Sequence, residues 1–329
     1  MKLSLEQIKS VTTGAVKVFY KNGKYHFGRF TDLETKVINN PNVVTTAGVQ
    51  MKFKTDAQLL KLKVLIQRAT QGTSYFCFDV FVNDILAGSI QNLSDKDRKG
   101  SYARKEYPVG EYNGEFELGE GEKYVRIVFP HSVIPMIEEV QLEDATYLMP
   151  VKNKRTIVFY GDSITQGYDS LHPARSFANL LADAFDAEVF NKALGGALFD
   201  SAIVEATSLT DIDYMVAAYG TNDWNSVDLD TFQKNAKAFF HAVQKVYPNV
   251  PKYIITPLWR KDWQTTKRCG PFSVLEEVIR DIFDNQENIT VISGVDLIPH
   301  DENLFGDLFL HPNDEGFEYC CKNLLKYFL

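Results

Sequence analysis

The chain has 329 residues, 45% of them hydrophobic and 24% charged, with a formal net charge of -8, which supplies apolar material for two cores of roughly 150 residues each. The acidic balance and the lack of a dense Lys/Arg run exclude a nucleic-acid footprint or a membrane-surface patch, and leave a neutral or cationic small partner. Charge within Met1-Lys-Leu-Ser-Leu-Glu-Gln-Ile-Lys9 spoils a signal core, and no later run is apolar for the length of a bilayer span, so a cytoplasmic protein is expected.

From about residue 10 to 150 the texture is short runs rich in β-branched and aromatic residues, separated by turn signals. Ala15–Tyr20 breaks at Lys21-Asn22-Gly23, a hairpin signal, and Tyr25–Phe30 resumes. Val49–Phe53, Leu60–Ile66, Tyr75–Val82 and Tyr124–Phe129 read as further strands. Strands at this spacing predict an all-β sandwich or jelly roll over residues 1–150. His26 and His131 in this region read as strand or turn residues, because no second metal-type residue keeps company with either.

After Met149-Pro150 strands alternate with amphipathic segments of helix length, the signature of a parallel sheet with crossover helices, which predicts a second domain over residues 151–329. Thr156–Tyr160 is its first strand and runs into Gly161-Asp162-Ser163. Ser176–Phe185 is a helix, Glu188–Phe190 a strand, Tyr214–Tyr219 a strand, and Thr231–Val246 a helix with Phe232, Ala236, Phe239 and Val243 inward. Tyr253–Thr256, Ser273–Phe283, Ile289–Ile292 and about Asp314–Phe328 continue the alternation. Cys77, Cys269, Cys320 and Cys321 show no CxxC spacing and read as small buried hydrophobes in a reducing compartment.

In open α/β sheets the ligand crevice lies outside the carboxyl ends of the strands, so residues just after each strand are the ones to collect. Four places stand out: Gly161-Asp162-Ser163, Asn191-Lys-Ala-Leu-Gly195-Gly196, Gly220-Thr-Asn222-Asp223, and His311-Pro-Asn-Asp-Glu-Gly316. Each alone is explained by turn chemistry, since Gly, Asn, Asp and Pro are turn formers. Jointly they supply a nucleophile, a base and hydrogen-bond donors. A serine hydroxyl needs a neighbouring base, and histidine is the side chain whose ordinary pKa suits that task.

These four blocks, in this order, resemble those of the SGNH, or GDSL-type, serine hydrolases. The resemblance covers about residues 155–320 and implies a three-layer α/β/α fold and ester hydrolysis through an acyl-enzyme, with no cofactor and no metal. It implies Ser163 as nucleophile and His311 as base, and an oxyanion hole from the Ser163 and Gly196 backbone N–H groups and the Asn222 side-chain amide. Gly196 is preferred to Gly195 because the family's loop ends its glycine at the sixth place from its asparagine. Asp223 would be a structural partner of its loop.

One feature departs from that pattern. The family's acid sits three residues before the histidine, where this chain has Leu308, while Asp307 is four before. Either a local distortion brings Asp307 to His311, or the site is a Ser-His dyad whose imidazole is held by a backbone carbonyl. Asp296 and Asp301 are weaker substitutes. Trp259, Trp224 and His172 follow strands or border the Ser163 segment, and are candidates to line a sugar-binding crevice; Trp263 is a further stacking candidate, and His241 and His300 read as structural.

A β-rich domain ahead of such a hydrolase resembles two-domain carbohydrate acetylesterases of the family-2 type, some of which work with a dyad. That resemblance implies removal of O-acetyl groups from a sugar or oligosaccharide. The alternatives are an esterase, lipase or thioesterase acting on another acyl substrate, and a non-catalytic carbohydrate-binding protein. Which sugar, which hydroxyl and which oligomeric state are not legible in the residues.

Overall fold

A computed structural model describes residues 1–69, 74–94, 102 and 105–328. The first half begins with a short helix α1 (Leu5–Val11), followed by strands β1 (Thr12–Thr13), β2 (Lys17–Lys21) and β3 (Lys24–Gly28), helix α2 (Asp32–Val37), β4 (Gln50–Thr55) and β5 (Leu59–Arg68). It continues through β6 (Cys77–Val82), β7 (Ile85–Gln91), β8 (Gly110–Glu117), β9 (Lys123–Val128), β10 (Val133–Glu143) and β11 (Leu148–Pro150). Two antiparallel sheets result, ordered β2-β3-β10-β5-β8 and β1-β4-β9-β6-β7, with β11 beside β4.

These sheets form a β-sandwich, because alternate residues of each turn inward. Leu60, Leu62, Val64 and Ile66 of β5 meet Met51 and Phe53 of β4, Val125 and Ile127 of β9, and Phe78 and Val80 of β6 in one core. The Asn22-Gly23 turn joins β2 to β3 with both residues at positive φ, 52° and 78°, the backbone that the right-handed twist of a two-residue hairpin favours.

The second half carries β12 (Arg155–Gly161), α3 (Ser163–Gln166), α4 (Phe177–Ala184), β13 (Ala187–Asn191), α5 (Ala202–Glu205), β14 (Tyr214–Ala218), α6 (Thr221–Ser226) and α7 (Leu229–Val246). Strand β15 (Lys252–Ile255), a small hairpin of β16 (Thr266–Lys267) and β17 (Gly270–Pro271), helix α8 (Ser273–Phe283), β18 (Ile289–Ile292) and α9 (Asp314–Leu324) complete it. The five parallel strands run in the order β13-β12-β14-β15-β18. Period-two alternation splits them between two helical layers: Val158, Tyr160, Met215, Ala217 and Ile254 pack under α7 and α8, while Ile157, Phe159, Val216, Ala218 and Ile255 pack under α4 and α9. This is the expected three-layer α/β/α fold. The order reverses at β12, so the crevice of such a sheet falls at the carboxyl end of that strand. No helix among the described residues is long and apolar enough to cross a membrane.

The two halves meet through polar contacts. Gln50 Nε2 donates to Asn179 Oδ1 at 3.1 Å, and the Arg126 guanidinium pairs with Asp183 at 2.5 Å. Lys192, just beyond β13, pairs with Glu34 of α2 at 2.7 Å with both side chains essentially inaccessible, and Lys192 also donates to the Arg29 carbonyl at 2.6 Å. Burial pulls the Lys192 ammonium down to about 8, so it is still charged at pH 7. Lys192→Met is expected to destabilise the fold by roughly 4 kcal/mol at pH 7, the cost of leaving a buried carboxylate unpaired or of protonating it. Because the stranded carboxylate takes up a proton, that penalty should shrink as the pH falls toward 5. Urea unfolding at pH 7 and pH 5 measures it, and a loss below about 1 kcal/mol at pH 7 would contradict it.

Candidate active site

Strand β12 delivers Gly161-Asp162-Ser163 at the carboxyl edge of the sheet. Gly161 is required by close approach: a Cβ there would lie 2.7 Å from the Ala218 carbonyl oxygen of the neighbouring strand and 2.3 Å from Thr165 Oγ1. Asp162 caps α3 by accepting the Ile164 N–H at 3.0 Å, and burial pushes its carboxyl up to about 6. Ser163 follows as the first residue of the helix and is largely buried.

Ser163 Oγ lies 2.8 Å from His311 Nε2. On the other side of the ring, His311 Nδ1 lies 3.0 Å from Asp307 Oδ2. Burial raises the Asp307 carboxyl, but the hydrogen bond and charge of His311 and the N–H groups of Leu310 and His311 outweigh it and hold it down at about 2. Asp307 is therefore a carboxylate that needs a donor, which places the proton on Nδ1 and leaves Nε2 free to accept from the serine hydroxyl. Burial lowers the His311 pKa, but the Asp307 hydrogen bond and the charges of Asp169, Asp307 and Asp162 overcome it, so the net shift is upward.

The extra residue between the acid and the histidine is absorbed by Leu308, whose φ is 56°. That left-handed turn costs a non-glycine residue about 1–2 kcal/mol. Asp307 Oδ1 offsets it by accepting the N–H groups of Phe309, Leu310 and His311 at 2.9, 2.7 and 3.1 Å. Of the two arrangements left open above, the loop has the distorted one that brings Asp307 to the imidazole. Asp301 caps its own short turn through the Asn303 N–H, and Asp296 lines a separate pocket with Thr256, Trp263 and Glu276.

The loop after β13 holds the proposed oxyanion glycine. The Gly195 N–H is taken by Gln166 Oε1 at 2.7 Å, whereas Gly196 is exposed at φ 78°. Asn222, at the start of α6, points its amide at this loop and donates to the Ala197 carbonyl at 3.2 Å. Asp223 Oδ1 accepts the Phe199 N–H at 3.3 Å from the same loop, and burial pushes its carboxyl up to about 7. Ser163 and His311 thus meet from opposite ends of the domain, and Asn222 and Asp223 tie α6 to the Gly196 loop.

The three sugar-contact candidates lie elsewhere. Trp224 is wholly buried, its indole N–H donating to the Gly270 carbonyl at 2.7 Å, so it presents no face for stacking and is corrected to a core residue. Trp259 is only 6% exposed, stacks on His300 with ring centroids 5.3 Å apart and has the Phe305 ring at 5.1 Å; protein rings already cover it. His172 Nδ1 bonds Asp79 of β6 at 2.8 Å and serves the contact between the two halves.

Several residues around the site carried no signal in the sequence. The buried Arg29 guanidinium donates to the carbonyls of Asn191 and Ala193 at 2.6 and 2.9 Å, and to Thr45 and Asn42 within the first half. Asn40 and Asn42 donate to the Gly195 carbonyl at 3.0 and 3.3 Å. Gln166 Nε2 donates to the His131 carbonyl at 2.7 Å, and His131 Nε2 bonds the Ser170 carbonyl at 2.9 Å. The β-sandwich half therefore braces both the segment around Ser163 and the glycine loop. Only capping boxes at Ser4/Gln7 and Thr31/Glu34 were available to place α1 and α2, and nothing local marks their distant partners.

Two groups of described residues bring three metal-type donor atoms within 4.8 Å of one another: Cys77, Asp79 and His172, and Asp169, Asp307 and His311. Hydrogen bonds account for the closeness in both, through His172–Asp79 and His311–Asp307. The four cysteines are free thiols and buried.

The GDSL-like Lipase/Acylhydrolase family matches residues 159–319, so the chain carries a GDSL-like lipase/acylhydrolase domain. The whole two-domain architecture is shared with a salicylyl-acyltransferase from a tetracycline biosynthetic pathway, at a TM-score of 0.80 and 19% identity over 96% of this chain and 92% of that one. It is shared with a putative GDSL-like lipase from Bacteroides ovatus (TM-score 0.74, 16% identity, 99% and 96% covered). A family two carbohydrate esterase from Clostridium thermocellum, solved with cellohexaose, is also similar (TM-score 0.63, 15% identity, 94% and 98% covered). Comparison with curated proteins finds no match.

Proposed function

We propose that this protein is a serine esterase that removes O-acetyl groups from a carbohydrate or oligosaccharide through an acyl-enzyme on Ser163. The observation that carries the reading is the continuous chain Ser163 Oγ, His311 Nε2, His311 Nδ1, Asp307 Oδ2, with links of 2.8 and 3.0 Å. His311 takes the serine proton as Oγ attacks the ester carbonyl carbon, and the Ser163 and Gly196 N–H groups and the Asn222 amide receive the oxyanion. Collapse expels the sugar alcohol, protonated by His311, and leaves acetyl-Ser163. Water, deprotonated by His311, then attacks the acyl carbon, and collapse breaks the bond to Ser163 Oγ, which takes the proton back from His311 as acetate leaves.

The carbohydrate part of the reading is supported by the surface beside Gly196. A pocket of about 410 Å³ opens there, lined by Gly196, Asn39, Asn40, Asp200, Tyr219 and Asn235 among others. Such amide and carboxylate groups suit a hydroxylated leaving group better than a long acyl chain. The family two carbohydrate esterases have the same two-domain build. A panel of acetylated oligosaccharides, with acetate release and mass shift as readouts, tests it. Inactivity on every sugar alongside good cleavage of longer acyl esters would overturn the substrate class.

Asn222 tests the oxyanion assignment. Asn222→Ala is expected to lower kcat on an aryl acetate by roughly 10²–10³-fold with little change in KM, because the amide's bond matters most when the oxygen is charged. An equal rise in KM with kcat preserved would reassign Asn222 to ground-state binding.

A further inference from the structure

His311 faces a second carboxylate. Asp169 Oδ2 lies 3.9 Å from the same Nδ1 that Asp307 Oδ2 approaches at 3.0 Å. The two acids come from different places: Asp307 from the histidine's own loop, Asp169 from the turn that follows the nucleophile helix. Asp169 is 1% exposed and has a φ of 67°, a backbone state that costs most residues about 1–2 kcal/mol and that aspartate tolerates better than most.

The surrounding structure holds that turn in place. The Tyr102 hydroxyl, from the β-sandwich half, donates to the Asp169 carbonyl. His131 Nε2 bonds the next carbonyl, that of Ser170, and Ser170 Oγ donates to Asp314 of α9 at 2.8 Å. Gly306, one residue before Asp307, packs so closely that a Cβ there would lie 2.7 Å from Asp169 Cβ. The charged and titratable groups facing His311 are Asp307 from its own loop, Asp169 and Tyr168 from the nucleophile turn, and Asp162 from the cap of α3, with the Ser163 hydroxyl at the other nitrogen.

Asp307 and Asp169 divide two tasks. One Asp307 oxygen is occupied by three backbone N–H groups and the other orients Nδ1. Asp169 is too far for a hydrogen bond of normal length, but its charge in a site removed from bulk water acts on the imidazole over that distance. We propose that Asp169 is a positioning residue for the hydrolytic reaction, a second carboxylate that stabilises the His311 imidazolium formed when Ser163 gives up its proton. The proposal rests on the serine-esterase reading above.

The test is Asp169→Asn, which keeps size and the tolerance of the left-handed backbone, with Asp169→Gly as a second variant in case the amide disturbs the turn. On an aryl acetate, kcat should fall roughly tenfold with KM within about twofold, and the acid limb of kcat/KM should move to lower pH by about one unit. The direction follows because removing a negative neighbour makes the imidazolium easier to deprotonate. Both variants retaining the wild-type limb and kcat would overturn the proposal. A fall in kcat with an unmoved limb would overturn it too, since that is what structural damage alone produces. Ser163→Ala run in parallel separates the two readings: if it retains activity, the serine-esterase mechanism itself fails, whatever Asp169 does.

Discussion

Ser163→Ala should lower kcat/KM on an aryl acetate by roughly 10⁴-fold or more, and should abolish the acetyl adduct that rapid quenching and intact mass are expected to detect on the parent protein. His311→Ala should cost about as much, and the double variant no more than either single one, because a hydroxyl without its base and a base without its hydroxyl are equally idle. That expectation rests on the 2.8 Å contact between Ser163 Oγ and His311 Nε2. Losses that multiply in the double variant would show two independent roles and break the assignment. Retained activity in Ser163→Ala would do so at once.

Asp307→Asn should reduce kcat by roughly 10³–10⁴-fold while leaving the fold intact. The amide oxygen can still accept the three N–H groups of Phe309, Leu310 and His311 that now bond Oδ1. Its NH₂ would then face Nδ1 where Oδ2 now sits, favouring the tautomer with the proton on Nε2, which cannot take a proton from Ser163. Thermal unfolding should be nearly unchanged. A loss of only a few fold would mean that His311 works without this acid, as a dyad.

The parallel half of the fold was legible in the residues because its strands are continuous apolar runs and its helices keep period 3.6. The spacing predicted a helix over Ser273–Phe283, and α8 has those bounds. The β-sandwich was less legible. Strand β10, the longest, contains Pro135 and the pair Glu138-Glu139, and its register shifts between Ile137 and Glu139, so its alternation is broken where the pattern is read. Strands β7 and β8 are largely exposed and rich in Gly, Ser, Asn and Glu, and they form through pairing with neighbours rather than through their own apolar pattern.

The aromatic candidates mark another limit. Trp224 beside Asn222-Asp223 has the composition of a sugar platform, but it is covered by Arg260 above its ring and Phe272 at its edge. A tryptophan next to a polar loop reads the same in sequence whether its face is open or closed. Burial depends on segments far away in the chain.

By itself the sequence determined the end of the sheet on which the candidate side chains lie, since that follows from strand-helix periodicity, and the resemblance of four short blocks singled out Ser163 and His311 among them. Tertiary structure decided what orients them. Leu308 enters a left-handed turn only because Asp307 gathers three N–H groups around it, and Asp169 reaches His311 only because Tyr102, His131 and Asp314 hold its turn from other elements. Arg29, Asn40 and Asn42 brace the glycine loop from about 150 residues away in the chain. Such contacts depend on packing two halves together, and packing has no local signature in the order of residues.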